Sequence, residues 1–322
     1  MTGRTVNVAV IGYGNMGSFH VQKYLKMDPV NLVAICDPGA GKTTIEIDGV
    51  SLPIYTCLDT LLSEHKIEAV SITSPTTTHY NIAKQCLNQG IHCLVEKPIS
   101  TSHDESNELI QIAKEKGLVL TVGHIERFNP AVLAVKQCIE EGKVGAMSSL
   151  SFRRNGPFPK QIDDADVVID LAVHDIDIAN YWLGTLPDEI TGHKSALITG
   201  GRPDHAEILA RYGQTNVFFQ VNWVTPKRVR NAVITGKKGY IEMDFIDQSV
   251  LYYPCKTTLS QNRHGESVAT FDAVEPELIP VQKADSLLNE CTTFIDAIVT
   301  GTPIKVTPEE ARDALDLAIK IK

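Results

Sequence analysis

Asn7-Val-Ala-Val-Ile-Gly12-Tyr-Gly14-Asn-Met-Gly17 is the stretch that decides the fold of the amino-terminal part of this chain. The apolar run 8–11 predicts a buried strand, and apolar residues at helical spacing after Gly17 predict a helix. The three glycines between them have G-x-G-x-x-G spacing. Gly12 permits a tight turn, Gly14 lets the backbone approach a pyrophosphate, and Gly17 lets the helix pack closely on the strand. The alternative is a glycine-rich turn in another α/β protein.

A carboxylate follows the second predicted strand, 32–36. Asp37 stands twenty residues after Gly17, where an acidic residue accepts hydrogen bonds from an adenosine ribose and would repel the 2′-phosphate of NADP. N–H groups at the helix start would face the pyrophosphate. We therefore predict a site for NAD. Its first cofactor-binding residues are Gly12, Tyr13, Gly14, Asn15, Met16, Gly17 and Asp37.

Composition and charge narrow the class of protein. The 322 residues are enough for about two domains. A hydrophobic content of 43% without an apolar run of about 18 residues predicts a soluble globular protein that does not enter a membrane. The formal net charge of −9, with no long basic block, argues against nucleic acid as a partner. An anionic ligand would therefore need a locally positive pocket.

The seven cysteines are odd in number, scattered and without C-x-x-C spacing. They predict reduced thiols in a cytoplasmic protein, with neither a disulfide framework nor a metal site. The first five residues lead directly into the first predicted strand, so we expect no signal or transit peptide.

Strands and helices alternate through residues 1–124, which we predict to be an NAD-binding domain. Six strands in a right-handed β-α-β series give a doubly wound α/β sheet, the Rossmann fold. The looser stretch 38–52 contains Gly39-Ala-Gly41-Lys42-Thr43, but Cys36 stands where a phosphate-binding P-loop requires glycine. We therefore predict a solvated loop there, near the adenosine.

Residues 125–322 predict a second, α+β domain with an open, mostly antiparallel sheet and helices on one face. Segments 216–223 and 230–235 have strong strand composition, and Gly236-Lys-Lys-Gly239 is typical of a hairpin turn. Thr307-Pro308 predicts the start of a last helix. We expect this domain to bind substrate and to form a homo-oligomer, dimer or tetramer, because an open sheet face such as the one with Trp223 needs covering.

Glu96-Lys97-Pro98 follows a predicted strand, 91–95. Ligands bind at the carboxyl ends of strands in open parallel sheets. A lysine there can hydrogen-bond a reacting hydroxyl group and stabilise developing alkoxide charge. The alternative is a surface lysine paired with Glu96.

Asp170, His174 and Asp177 lie at i, i+4 and i+7 of a predicted helix, 167–183, and would share one face. A carboxylate beside an imidazole can orient it for proton transfer with an alcohol near neutral pH. The alternatives are a metal site, although no further His or Cys cluster completes a ligand set, and an ion pair that stabilises the helix.

Three arginines offer local positive charge. Arg127 is predicted at the end of the last parallel strand, where it could bind a diphosphate or a carboxylate, or pair with Glu126. Arg153 and Arg154 give a second positive spot, either near the diphosphate or at a solvated strand end.

The chain resembles the glucose–fructose oxidoreductase / inositol dehydrogenase / MocA (Gfo/Idh/MocA) family over essentially its whole length. The shared features are the glycine triplet, Glu96-Lys97-Pro98 and the helix of Asp170 and His174, and further motifs are Ser74-Pro75…His79, Val233-Ile-x-Gly236…Gly239-Tyr-Ile241 and Phe294-x-x-Ala297-Ile…Val306-Thr-x-Glu-x-Ala311. The resemblance implies NAD(P)-linked oxidation of a sugar or cyclitol hydroxyl group.

The resemblance also implies roles for particular residues. Lys97, Asp170 and His174 match the catalytic residues of the family, and Pro98 is expected to follow a cis peptide bond. The implied cofactor contacts are Ser74, Pro75, His79, Glu96 and Lys97, and the expected substrate contacts are Lys97, Arg127, Arg153, Asp170 and His174. Many members carry a glycine-rich run before the aspartate, where this chain has Asp164-Ala-Asp166, so the backbone near the substrate is expected to differ.

The run Val122-Gly-His-Ile-Glu126-Arg127-Phe-Asn-Pro130 is similar to one branch of that family. That branch oxidises the 3-hydroxyl group of UDP-N-acetylglucosamine or its uronic acid. The resulting 3-keto sugar nucleotide is passed to an aminotransferase in lipopolysaccharide biosynthesis. Two alternatives stay open: a dehydrogenase of a free sugar or inositol, and a non-catalytic regulator that senses NAD or a sugar.

Overall fold

The computed structural model describes residues 4–159, 165–271 and 274–322, and Asp164 lies outside them. They fall into two compact units. The first unit is Met1–Phe128 with Asp285–Asp316, and the second is Asn129–Ala284 with Leu317–Lys322. The predicted boundary between 124 and 125 is therefore crossed again near the carboxyl end of the chain.

Helices and strands follow one another in this order. The helices are α1 (Asn15–Tyr24), α2 (Leu58–Glu64), α3 (Thr76–Asn88), α4 (His103–Lys116), α5 (Pro130–Glu140), α6 (Val173–Leu183), α7 (Ser286–Thr300) and α8 (Pro308–Ile319). The strands are β1 (Val6–Ile11), β2 (Val30–Cys36), β3 (Thr44–Ile47), β4 (Val50–Tyr55), β5 (Ala69–Ile72), β6 (His92–Glu96), β7 (Leu120–Gly123), β8 (Met147–Pro157), β9 (Glu189–Ser195), β10 (His205–Tyr212), β11 (Thr215–Asn222), β12 (Val224–Gly236), β13 (Gly239–Asp244), β14 (Ser249–Pro254), β15 (Thr257–Gln261), β16 (Ser267–Phe271) and β17 (Glu277–Ile279).

A seven-stranded sheet forms the centre of the first unit, in the order β3-β4-β2-β1-β5-β6-β7. All neighbours are parallel except β3, which pairs antiparallel with β4. Strands β1, β5 and β6 are mostly apolar and almost wholly buried, as expected for a sheet covered on both faces. The parallel part confirms the predicted doubly wound fold.

The loop predicted for 38–52 is partly a hairpin. Strands β3 and β4 meet at Asp48-Gly49, and both turn residues have positive φ, 51° and 80°. An Asp-Gly pair is a strong signal for such a turn. Leu52 and Ile54 enter the hydrophobic core, so burial of β4 stabilises the hairpin.

Helix α7 explains why the first unit includes residues near the carboxyl end. Five of its side chains join the core formed with β1 and α1, namely Leu287, Cys291, Phe294, Ile295 and Ile298. Full burial of each large apolar side chain contributes about 1.5–3 kcal/mol. Helix α8 begins as predicted. Thr307 accepts a hydrogen bond from the Glu310 N–H, and Glu310 accepts one from the Thr307 N–H.

The second unit contains an eight-stranded sheet in the order β17-β14-β13-β12-β8-β11-β10-β9. Only the pair of β8 and β11 is parallel, which confirms a mostly antiparallel sheet. Helix α6 packs on this sheet through Trp182, whose ring stacks on that of Phe152 with 5.5 Å between the two ring centres. The other face leaves Leu209 and Phe218 exposed by 41% and 48%.

Trp223 does not lie on that open face. It is 2% exposed and packs against Phe158, so the predicted placement was wrong. Its indole N–H donates to Asp170, which explains why the ring is drawn inward.

None of the helices in the described segments combines the length and apolarity needed to span a bilayer.

Candidate functional site

The glycine turn after β1 has the steric requirements that the sequence predicted. Gly12 has φ +93°, and a Cβ atom there would lie 2.5 Å from the Ser74 nitrogen. A Cβ at Gly17 would lie 2.0 Å from the Gly12 carbonyl oxygen. At Gly14 an added Cβ meets no described atom within 4 Å. The turn therefore leaves open space at the start of α1, where the helix N–H groups and its positive dipole end favour a phosphate.

Asp37 joins the end of β2 to this turn. Its Oδ2 accepts a hydrogen bond from the Tyr13 N–H at 2.6 Å, and its Oδ1 accepts one from the Gly39 N–H at 2.7 Å. A carboxylate has about four acceptor positions, so both oxygens can also accept from ribose hydroxyls. Asn15 and Met16 form the first turn of α1. This arrangement of glycines, helix start and carboxylate fits NAD.

His79 connects the two loops that follow β5 and β6. The ring is 1% exposed, and its Nδ1 and Nε2 each lie 2.8 Å from a carbonyl oxygen, those of Pro98 and Ser74 respectively. The Ser74 hydroxyl in turn contacts the Thr78 hydroxyl at 2.7 Å. Both nitrogens of His79 therefore face protein atoms. The peptide bond between Lys97 and Pro98 is cis, as the resemblance implied.

Glu96 is buried beneath Lys97. Its Oε2 accepts the Lys97 backbone N–H at 3.2 Å, and its Oε1 lies 3.2 Å from Nε2 of His20. Burial would raise the pKa of Glu96. The hydrogen bond from His20, the charges of His20 and Lys97 and the Lys97 N–H outweigh burial and lower that pKa. Because Glu96 is only 8% exposed, the alternative of a surface ion pair is disfavoured.

Arg127 lies in a 3₁₀ turn after β7 and is 3% exposed. Its Nη2 lies 2.9 Å from Oε1 of Glu310 on α8. Glu310 is therefore an ion partner of Arg127. A contact between Arg127 and substrate stays a prediction.

The segment that carries Asp170 and His174 is not one continuous α-helix. Residues Val168–Ala172 form a π-helical turn, and α6 begins after it. Asp166 initiates the turn, since its Oδ1 accepts the N–H groups of Val168 and Ile169. The wider turn shifts the predicted i, i+4, i+7 face. Asp170 and His174 stay half-buried, but Asp177 is 1% exposed. Single π-helical turns are frequent at functional sites.

Aromatic and cationic groups surround Asp170 within the second unit. Nε1 of Trp223 donates to Oδ2 of Asp170 at 3.3 Å. The guanidinium of Arg202 lies 5.4 Å from the Trp223 ring centre and 5.3 Å from that of Phe158. These distances are typical of cation–π contacts. The sequence reasoning assigned none of these three side chains to the site.

Arginines of β8 and β12 add positive charge beside Asp170. Arg154 is 4% exposed and donates two hydrogen bonds to Oδ1 of Asp175, at 2.9 and 2.7 Å. Arg230, its cross-strand neighbour, donates from Nη1 to the carbonyl oxygens of Asn155 and Val229. Burial and the charges of Arg154 and Arg228 lower the pKa of Arg230 to about 10, against the opposite effect of Asp175 and Asp170. Arg230 is thus charged at neutral pH.

Sequence reasoning missed Arg230 as a site residue. A signal was present, because Arg230 lies on the same face of β12 as the buried Ala232 and Ile234. A charged residue on the buried face of a strand indicates a partner or a ligand.

Arg153 lies apart from this arginine group. It is exposed on the open face of the sheet, where it lines a depression of about 560 Å³ with Tyr240 and Glu242. The structure therefore does not bring Arg153 together with Asp170. Its predicted contact with substrate stays a prediction.

Comparison with known proteins gives matches along most of the chain. Residues 6–124 match the oxidoreductase family with an NAD-binding Rossmann fold, and residues 132–242 match the GFO/IDH/MocA C-terminal domain. The UDP-N-acetylglucosamine 3-dehydrogenase of Acidithiobacillus ferrooxidans is 29% identical over 98% of this chain and 96% of its own. The solved structure of that enzyme, GnnA, superposes with a TM-score of 0.81 at 27% identity, covering 98% and 96% of the two chains.

An enzyme of a different substrate class also matches over the full length. The myo-inositol 2-dehydrogenase of Thermotoga maritima is 24% identical over 98% of this chain and 95% of its own. Both domain matches agree with each other and with the glycine turn, and this chain therefore belongs to the Gfo/Idh/MocA family of oxidoreductases, with an NAD-binding Rossmann domain.

Proposed function

We propose that this protein is an NAD-dependent dehydrogenase that oxidises the 3-hydroxyl group of UDP-N-acetylglucosamine or of its uronic acid. The product would be a 3-keto sugar nucleotide. The observation that carries the proposal is the group of Arg154, Arg228 and Arg230 beside Asp170. The similarity to a UDP-N-acetylglucosamine 3-dehydrogenase over 98% of the chain supports it independently.

The charge of the ligand separates the two substrate classes. A UDP-sugar carries a diphosphate, whereas inositol is neutral. The chain as a whole has a net charge of −9, so an anionic substrate needs local cations to overcome the general repulsion. Among the described carboxylates none lies within 4.0 Å of Arg230, which is partly buried and repelled by Arg154 and Arg228. A phosphate would relieve that repulsion, and arginine binds phosphate with two parallel hydrogen bonds.

The residues of the chain then have the following roles in the proposed reaction. His174 accepts the proton of the reacting hydroxyl group, and Asp170 orients the imidazole or stabilises its charge. Lys97 donates a hydrogen bond to the reacting oxygen and stabilises its developing negative charge. Bound at the glycine turn, NAD supplies the hydride acceptor. Asp37 favours NAD over NADP, because it would repel a 2′-phosphate.

A free sugar or inositol is the second candidate substrate. The full-length similarity to a myo-inositol 2-dehydrogenase favours it. A neutral substrate offers no negative charge to Arg230, which the charges of Arg154 and Arg228 repel, and we therefore place this candidate second.

We further propose that a second copy of the chain covers the open sheet face. Leu209 and Phe218 are cross-strand neighbours there, and both are large and exposed. Apolar patches of this kind mark contact surfaces.

The seven cysteines are free thiols in the structure, which supports a reducing, cytoplasmic location. An aminotransferase that consumes the ketone is the expected pathway partner.

The proposal is tested by following NADH formation with four substrates in parallel: UDP-N-acetylglucosamine, its uronic acid, free N-acetylglucosamine and myo-inositol. Each reaction includes a glutamate-dependent 3-aminotransferase to remove the ketone. Turnover of one UDP-sugar, with silence from both neutral compounds, is the expected result. Turnover of inositol or the free sugar alone would overturn the proposed substrate while leaving the family assignment intact.

A further inference from the structure

Three titratable side chains are buried together in the interior of the first unit. His20 of α1, Glu96 of β6 and Glu290 of α7 are 0%, 8% and 1% exposed. One nitrogen or oxygen atom of each lies within 4.8 Å of those of the other two. Two carboxyl groups and one imidazole thus share a site from which water is excluded.

Two of these groups have hydrogen-bond partners in the described structure. His20 contacts Glu96 through Nε2 and the Ser71 hydroxyl through Nδ1, at 3.2 and 3.1 Å. Ser71 continues to the Tyr24 hydroxyl at 2.6 Å. Glu96 also accepts the Lys97 N–H. A carboxylate that accepts two hydrogen bonds is stabilised in its ionised form.

Glu290 differs from both. Neither of its carboxyl oxygens has a hydrogen-bond partner in the described part of the chain, and both are inaccessible to solvent. A second ionised carboxylate beside Glu96 would be desolvated and repelled at once. Geometry therefore requires that something neutralises Glu290, either a proton or a cation.

We propose that Glu290 holds a proton at neutral pH and donates a hydrogen bond to the carboxylate of Glu96, which fixes the backbone of Lys97. Glu290 is then a positioning residue that acts through Glu96. Burial and the charge of Glu96 raise the pKa of Glu290 well above its usual range, in agreement with this assignment. The effect on Lys97 rests on the proposed function, but the protonation of Glu290 does not.

A metal ion is the competing occupant. It would require His20 and both glutamates as ligands, so the hydrogen bond between Nε2 of His20 and Glu96 would be replaced by two bonds to the metal, whereas Nδ1 could keep its contact with Ser71. The other titratable neighbours are Tyr24 of α1, Cys291 of α7, whose Sγ lies 3.8 Å from Nδ1 of His20, and Lys97, whose charge acts on Glu96. None of these supplies a further carboxylate to the group.

Glu290→Gln is the decisive variant, because an amide keeps the size of the acid, donates a hydrogen bond and is neutral at every pH. Glu290→Ala removes the donor, and Glu309→Gln on the exposed surface of α8 controls for loss of a negative charge. Thermal unfolding of the full chain with NAD is measured from pH 5 to 8, together with the infrared carbonyl band of un-ionised carboxylic acids.

The expected result follows from proton linkage. The native state keeps a proton that the unfolded state has lost above the ordinary Glu pKa of about 4.3. Wild-type stability should therefore fall relative to Glu290→Gln as pH rises, by roughly tenfold in the folding equilibrium per pH unit. The carbonyl band should be present in wild type at pH 8 and absent in Glu290→Gln. Glu290→Ala should be destabilised at all pH values, and Glu309→Gln should follow wild type.

The proposal is overturned if the stability difference between wild type and Glu290→Gln is independent of pH, or if the band is missing at pH 8. A stoichiometric divalent metal in purified wild type, lost in Glu290→Gln, would replace the proton by a cation. The role toward Lys97 has its own readout. Glu290→Gln should keep kcat and its pH profile within about twofold, whereas Glu290→Ala should lower kcat without changing KM for NAD. Absence of turnover in wild type would contradict the proposed function but would not change the conclusion from the stability measurements.

Discussion

The candidate sites of the two units differ in the chemical groups that form them. In the first unit the predicted NAD site consists mainly of backbone: the glycine turn, the start of α1 and the loops that His79 connects. In the second unit, charged side chains dominate, with Asp170 set among Trp223, Arg154 and Arg230. A backbone site tolerates few changes of size, whereas a side-chain site responds to changes of charge. Substitutions in the two units should therefore fail in different ways.

The largest effect is expected in the second unit at the proposed base. His174→Ala should lower kcat by about 10²–10⁴-fold, the usual contribution of general acid–base catalysis. NAD affinity should be unchanged, because the glycine turn belongs to the other unit. Steady-state turnover and NAD binding by fluorescence check both halves of this statement.

His193→Ala is the matched control for that variant, since His193 is an exposed histidine of β9. It should retain wild-type turnover. Full activity in His174→Ala, or a parallel loss of NAD binding, would remove the distinction between the units.

A smaller effect is expected at the arginine group. Arg230→Gln should raise KM for the UDP-sugar by about 10–100-fold, because a hydrogen bond to a charged group contributes roughly 1.5–3 kcal/mol. NAD affinity should stay as in wild type. Arg211→Gln, an exposed arginine paired with Asp188 on the same sheet, serves as the control. Equal KM values in wild type and Arg230→Gln would contradict an anionic substrate at this site.

The smallest effect on turnover, and the clearest one on cofactor binding, is expected in the first unit. Gly14→Val should weaken NAD binding by at least about tenfold, or ~1.4 kcal/mol, without changing thermal stability, because a Cβ there meets no described protein atom. Gly17→Val should instead destabilise the fold, since its Cβ would overlap the Gly12 carbonyl oxygen. The two variants would thus show that Gly14 is needed for NAD binding and Gly17 for packing of the helix on the strand. Unchanged NAD affinity in Gly14→Val would place the pyrophosphate elsewhere.

The contrast between the units also explains what could be read from the sequence. Glycine spacing and Asp37 are local signals. The predictions about the fold of the first unit therefore use only residues that lie close together in the sequence. The Thr307 cap and the hairpin at 236–239 are local as well, and both are found. The hairpin at Asp48-Gly49 has an equally local signal, the Asp-Gly pair itself.

Features that depend on distant pairing were beyond such reasoning. Arg154 and Arg230 meet only because β8 and β12 pair across more than seventy residues. The π-helical turn at Asp170 breaks the 3.6-residue period from which a shared face was predicted. Glu290 joins His20 only because α7 returns to the first unit. In each case tertiary contacts decide the environment of a residue whose type alone was visible.

The most direct test of the proposed reaction uses UDP-N-acetylglucosamine that carries deuterium at C3 of the sugar. The protein is incubated with this substrate, NAD and the 3-aminotransferase, and the NADH formed is analysed by mass spectrometry. Oxidation at the 3-hydroxyl group predicts one deuterium in each NADH molecule. NADH without deuterium, or no NADH from either this substrate or its uronic acid under conditions in which inositol is oxidised, would contradict the account.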